Sequence, residues 1–136
     1  MSLDGFSMSA LAHELADALT GGRIDKINQP NKQSVILSVR QPGKNFLLYI
    51  NTNASNPSAH LIEAAPENPA EPPTFVMLLR KQLETGRIAA VRQERRDRIL
   101  HLDIDIIAGG GRIVTRTLTL ELIGKYSNII LHEGGT

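Results

Sequence analysis

The chain is 136 residues long, enough for one domain with a single buried core and too short for two. Its 41% hydrophobic and 21% charged residues exclude a disordered polymer, and the lack of cysteine excludes a disulfide framework and thiol catalysis. The formal charge of +1 is too small to argue for nucleic acid by itself. No apolar run approaches the roughly 20 residues that cross a bilayer, and no signal-peptide pattern opens the sequence, so a cytoplasmic protein with no membrane partner is expected.

Met8, Leu11, Ala12, Leu15, Ala16 and Leu19 recur at helical spacing and predict a first helix over 7–19, stopped by Gly21-Gly22. Strands are predicted over 23–28, 34–40 and 46–51. The last two are joined through Gln41-Pro42-Gly43-Lys44, where proline followed by glycine suits a type II turn. The run 46–50 shows no alternation and reads as buried on both faces. A short strand over 60–63 leads to a proline-rich approach (Pro66, Pro69, Pro72, Pro73) and a second helix that stops at Gly86. Pro73 and Thr74 suit the first positions of that helix. Phe75, Leu78, Leu79 and Leu83 predict its buried face, and Arg80 and Lys81 oppose the negative end of its dipole.

Farther on, Leu100, Leu102, Ile104 and Ile106 alternate with His101, Asp103 and Asp105. Val114, Leu118, Leu120 and Leu122 share one parity, broken only by Arg116. Gly109-Gly110-Gly111 predicts the hairpin loop between them, and a last strand is expected over 128–132. No repeat with a period of roughly 20–50 residues is visible. About eight mostly antiparallel strands with two helices predict an α+β domain built as a β-sandwich, with 1–136 as a single domain.

Chemistry-bearing residues do not assemble. His13, His60, His101 and His132 lack metal-ligand spacing. Asp103, Asp105 and Glu121 read as the solvated side of a half-covered sheet ahead of a carboxylate site. Gly109–Gly111 is no phosphate loop, because no helix opens after it and no Lys-Ser or Lys-Thr follows. Nothing places Ser, His and Asp as a triad, so a non-enzymatic protein without cofactor, metal or small-molecule substrate is expected.

Charge is unevenly distributed. No Lys or Arg lies between Asn45 and Leu79, whereas Arg80, Lys81, Arg87, Arg92, Arg95, Arg96 and Arg98 face only Glu84, Glu94 and Asp97. That stretch suits phosphate contact and suits a solvated turn and helix end equally well. No aromatic residue interleaves it, so base stacking is unsupported. Taken from the residues alone, Asp97-Arg98 is a turn aspartate beside an arginine that starts a strand, and Asp4-Gly5 is a cap or turn before the first helix.

Five stretches stand in a telling order: MSLDG at 1–5, GGRIDKINQP at 21–30, ENPAEPPTFVMLLRKQLETGRI at 67–88, DRI at 97–99 and LELIGKYSNIIL at 120–131. Together they resemble the N-terminal domain of the NFACT family, the fibronectin-binding protein A-like proteins RqcH, FbpA and NEMF. The resemblance implies a cytosolic factor of ribosome-associated quality control. Such factors bind the large ribosomal subunit carrying an obstructed nascent chain, recruit tRNA and promote a templateless C-terminal tail, of alanine in bacteria. Peptide-bond chemistry stays with the ribosome.

The resemblance also implies a fold similar to the N-terminal domain of formamidopyrimidine-DNA glycosylase, without its chemistry. Those enzymes need an N-terminal proline amine followed by glutamate, and this chain begins Met1-Ser2-Leu3-Asp4. It implies that Asp4, Asp97 and Arg98 form the tRNA-binding positions, with Arg95 and Arg96 as weaker contacts. Family proteins continue through a helix-hairpin-helix domain, a coiled coil and a second NFACT domain, so 1–136 is expected to be one domain of a longer protein. Two other readings remain: adhesion, after the fibronectin-binding name of some relatives, and a scaffold that docks the helical domains.

Overall fold

The computed structural model describes residues 5–53, 57–64, 74–94, 98–123 and 128–132, and no side chains for 5–7 and 74. Helix α1 (Gly5–Leu19) buries Met8, Ala12, Leu15 and Leu19, the face its spacing predicts. Four antiparallel strands follow: β1 (Arg23–Asn31), β2 (Ser34–Gln41), β3 (Lys44–Asn51) and β4 (Ser58–Ile62). Helix α2 (Thr74–Leu83) then leads into a second antiparallel set, β5 (Arg87–Gln93), β6 (Ile99–Ile107), β7 (Ile113–Glu121) and β8 (Asn128–His132). The eight strands form one sheet in the order β4-β3-β2-β1-β5-β6-β7-β8.

The chain folds as two equivalent halves, each a helix followed by a four-stranded meander. Leu19-Thr20-Gly21-Gly22-Arg23-Ile24 closes α1 and opens β1; Leu83-Glu84-Thr85-Gly86-Arg87-Ile88 does the same for α2 and β5. Gly22 N–H donates to Leu19 O at 2.9 Å, and Gly86 N–H donates to Leu83 O at the same 2.9 Å. Across the seam, Gly21 N–H donates to Ile88 O (2.7 Å) and Thr85 N–H to Ile24 O (2.8 Å). Gly21 and Thr85 both hold positive φ, 86° and 71°. Both meanders shift register just after the isoleucine, between Ile24 and Lys26 and between Ile88 and Ala90. The halves repeat at the spacing of Gly22 to Gly86, longer than the roughly 20–50 residues of solenoid and propeller repeats.

The expected sandwich has a different construction from two separate sheets. Its layers are the halves of one continuous sheet, which share a single ladder pair, Arg23 with Arg87. A flat sheet would hold β8 about 19 Å from β1. Instead, Asn128 and Ile129 of β8 line the same cavity of about 210 Å³ as Gln29 and Val35 of β1 and β2. Buried side chains of both halves accordingly form one cluster. Each helix packs chiefly on the first strand of the opposite half, α1 on β5 and α2 on β1. The halves interlock, so neither keeps its core without the other.

Three local expectations are corrected. In α2 the buried face is Val76, Leu79 and Leu83, with Phe75 at its margin; Leu78 is 46% exposed. Arg80 sets this rotation by donating from Nε to Ile27 O (2.7 Å) and from Nη2 to Asn28 Oδ1 (3.0 Å) on β1, so it serves as a clamp between helix and strand. In β3 only Leu48 and Ile50 are fully buried, while Phe46, Leu47 and Tyr49 are half-covered. The strand buried on both faces is β2, from Ser34 to Leu37. Arg116 interrupts the apolar row of β7 for a reason: its Nη1 donates to Gln82 O (2.9 Å), capping the C-terminal turn of α2.

Candidate nucleic-acid interface

Of the residues expected to contact tRNA, Asp4, Arg95, Arg96 and Asp97 lie outside the described residues. Arg98 is half-buried in the connection between β5 and β6. Its backbone is fixed from two sides. Glu94 N–H donates to Ile99 O at 3.1 Å, closing the connection, and Leu122 N–H donates to Arg98 O at 2.9 Å, tying it to the end of β7. Arg98 therefore has a set place at one end of the β6–β7 ladder, where Ile99 pairs with Glu121.

Among the described residues of the basic stretch, Arg80, Arg87 and Arg92 are engaged at three different places in the fold. Arg80 is spent on β1. Arg87 sits at the seam and donates from Nη1 to Gly21 O at 2.9 Å. Arg92 forms a fork with Asp103, Nε to Oδ2 at 2.7 Å and Nη2 to Oδ1 at 3.0 Å. That guanidinium holds the Asp103 carboxyl below the usual carboxylate range against the opposing effect of burial, with the Thr117 hydroxyl assisting. The same hydrogen bond raises Arg92 above its ordinary value. These residues do not make one cationic surface.

The polar row of β6 lies on the face of the second half away from the apolar row and is only partly solvated, with Thr119 opposite it on β7 buried. Thr117 Oγ1 donates to Asp103 Oδ1 at 2.8 Å and Thr115 Oγ1 to Asp105 Oδ1 at 2.7 Å. His101 Nδ1 lies 2.8 Å from Thr119 Oγ1, and its Nε2 lies 3.4 Å from Glu94 Oε2. Each acid is thus engaged by its cross-strand neighbour. Glu121 sits at the far end of the ladder, opposite Ile99, and the three carboxylates do not converge. The register does bring together three arginines that the sequence keeps apart, Arg23, Arg40 and Arg87.

Comparison with known proteins bears on this surface. Residues 4–136 match the family of NFACT N-terminal and middle domains. An Rqc2 homolog, RqcH, of Bacillus subtilis is 43% identical over 133 residues, 98% of this chain and 23% of that protein. A Streptococcus pneumoniae protein of the same name is 37% identical over 96% of this chain and 24% of its own length. The chain thus spans about a quarter of the length of the curated relatives it matches.

Solved structures agree. The N-terminal domain of fibronectin-binding protein PavA from Streptococcus pneumoniae superposes with a TM-score of 0.92 at 36% identity, covering 97% of this chain and 50% of that one. The N-terminal part of the fibronectin/fibrinogen-binding protein from Streptococcus suis gives 0.94 at 36% identity, over 98% of this chain and 50% of that one. The chain therefore belongs to the NFACT N-terminal domain family, which the RqcH-type Rqc2 homologues share with the fibronectin-binding protein A-like proteins.

Proposed function

We propose that this domain is a non-catalytic tRNA-binding module of a cytoplasmic ribosome-associated quality-control factor. In that role it helps bring tRNA to obstructed large ribosomal subunits for templateless alanine tailing of the stalled chain. The observation that carries the reading is the 43% identity, over 98% of the chain, to a protein described as an Rqc2 homolog. Arg98 would contact the tRNA, with Asp97 and Asp4 positioning groups beside it and Arg95 and Arg96 adding weaker phosphate contacts.

The architecture is compatible with that grouping. Helix α1 and strand β5 leave the same corner, where Gly21 is bonded to Ile88, and α1 packs chiefly on β5. At 1.5 Å per helical residue and 3.3 Å per strand residue, each runs about 20 Å from that corner. This reading groups the beginning of α1 with the β5–β6 connection at the far ends of these two runs.

Two other readings each have an observation behind them. Structural neighbours carry fibronectin- and fibrinogen-binding names, which favours adhesion. Met77 and Leu78 on α2, at 57% and 46% exposure, favour a scaffold that docks further domains. Binding of the protein to immobilised tRNA and to immobilised fibronectin separates adhesion from the primary reading. Affinity for tRNA that falls in Arg98→Ala supports the tRNA module; unchanged tRNA affinity in that variant at low salt refutes the assigned site.

A further inference from the structure

Arg40 on β2 and Arg87 on β5 are the two cross-strand partners of Arg23 on β1. The three arginines thus rise side by side from adjacent strands, and all three are exposed. In-register neighbours stand about 5 Å apart, and like charges placed directly opposite destabilise a sheet. Nothing in the packing calls for three cations in this row.

Local contacts orient the arginines and offset only part of their charge, since Asp25 and Asp105 face three guanidinium groups. Asp25 Oδ1 accepts from Arg23 Nε (3.2 Å) and Nη2 (3.1 Å), and its Oδ2 lies 3.8 Å from Arg40 Nε. Arg87 donates one bond to Gly21 O. Asp105 is the partner of Arg87 on β6, at the end of the row, where it accepts from Thr115. A guanidinium carries five N–H donors, so most of the donors in the row face no partner among the described residues. A shallow groove of about 430 Å³ runs between the arginines, past Gly21 and the Pro42-Gly43 turn. Its described lining holds no aromatic ring.

We propose that the Arg40–Arg23–Arg87 row binds the phosphodiester backbone of RNA, as a contact separate from Arg98. Arginine forks match pairs of phosphate oxygens. With no ring to stack on a base, the contact is to backbone and independent of sequence. Arg23 and Arg87 are equivalent positions of the two halves, so a strand laid across the seam meets one from each. The row lies about 20 Å from the β5–β6 connection along β5, and the two contacts together give RNA an extended footprint. The proposal rests on the tRNA reading and deepens it.

The test is a titration of the 136-residue protein with unmodified tRNA across a salt series. Wild type is set beside Arg40→Gln, the triple variant Arg23→Gln/Arg40→Gln/Arg87→Gln, Arg98→Ala, and Lys81→Gln as a charge-matched control on the exposed side of α2. Each lost phosphate contact flattens the slope of log affinity against log salt by about 0.7–0.9. Arg40→Gln is expected to lose one such step and the triple variant two or more, with the thermal midpoint of Arg40→Gln unchanged or raised as repulsion is relieved. Row variants indistinguishable from Lys81→Gln would overturn the proposal. So would intact tRNA binding combined with lost binding of poly-glutamate, which would make the row a dock for an acidic protein segment. If Arg98→Ala is silent while the row variants weaken, the row stands and the Arg98 assignment falls.

Discussion

Among the described residues, Asp103 carries the clearest electrostatic device. The Arg92 fork and the Thr117 hydroxyl favour the ionised carboxylate of the folded state, so its folded value lies below its unfolded one. The stabilisation is present above the ordinary aspartate range, near pH 4, and is lost as pH falls through the folded value. Arg92 is 54% exposed, which limits the pair to about 1 kcal/mol. Asp103→Asn is expected to cost that much in urea melts at pH 7, and the gap to wild type should close in acid. A second residue-scale expectation concerns the seam. A Cβ on Gly86 would stand 2.4 Å from Ile106 Cδ1 and 2.6 Å from Ile104 Cγ2, with Leu83 O at 2.9 Å behind it. Gly86→Ala should lower stability by about 1–3 kcal/mol in the same melts.

Among the elements, those that meet the core on one face were the most legible in the sequence. Leu100, Leu102, Ile104, Leu118 and Leu120 are all fully buried, as their alternation predicts, because β6 and β7 turn one face into the core and keep their polar side chains on the other. The turn at Pro42-Gly43 was legible for a backbone reason: Gly43 sits at φ 73°, which type II geometry demands and other residues resist. Helix α2 was misread by one position around its axis. Phe75, Val76, Leu78 and Leu79 offer two apolar arcs, and what selects between them is Arg80 bonding to β1, a contact no periodicity reveals. Val76→Ala should therefore cost roughly 2 kcal/mol, whereas Leu78→Ala should stay within about 0.5 kcal/mol, as read from thermal or denaturant melts. The opposite order would restore the face expected from the sequence. Arg116 was equally opaque, since its partner is a helix carbonyl rather than a neighbour in the chain.

For the molecule as a whole, the α+β class and the strand and helix inventory followed from pattern, but the closure of the sheet did not. Interlocked halves depend on pairing between 21–24 and 85–88, and their trace in the chain is short, a leucine followed three residues later by Gly-Arg-Ile at each helix exit. The arginine row was hidden for the same reason, because Arg23, Arg40 and Arg87 become neighbours only once β1 is flanked by β2 and β5. The proposed tRNA contact rests on family resemblance alone. Composition and charge leave Asp97-Arg98 as an ordinary turn, and the fold engages Arg80, Arg87 and Arg92 of the basic stretch at three separate places. The proposed function requires a defined tRNA site on this domain. Its most direct test is a fluorescence titration with unmodified tRNA at several salt concentrations, wild type beside Asp97→Ala/Arg98→Ala. Saturable binding that is lost in the double variant is the expected result; equally weak, steeply salt-dependent binding by both proteins would contradict it.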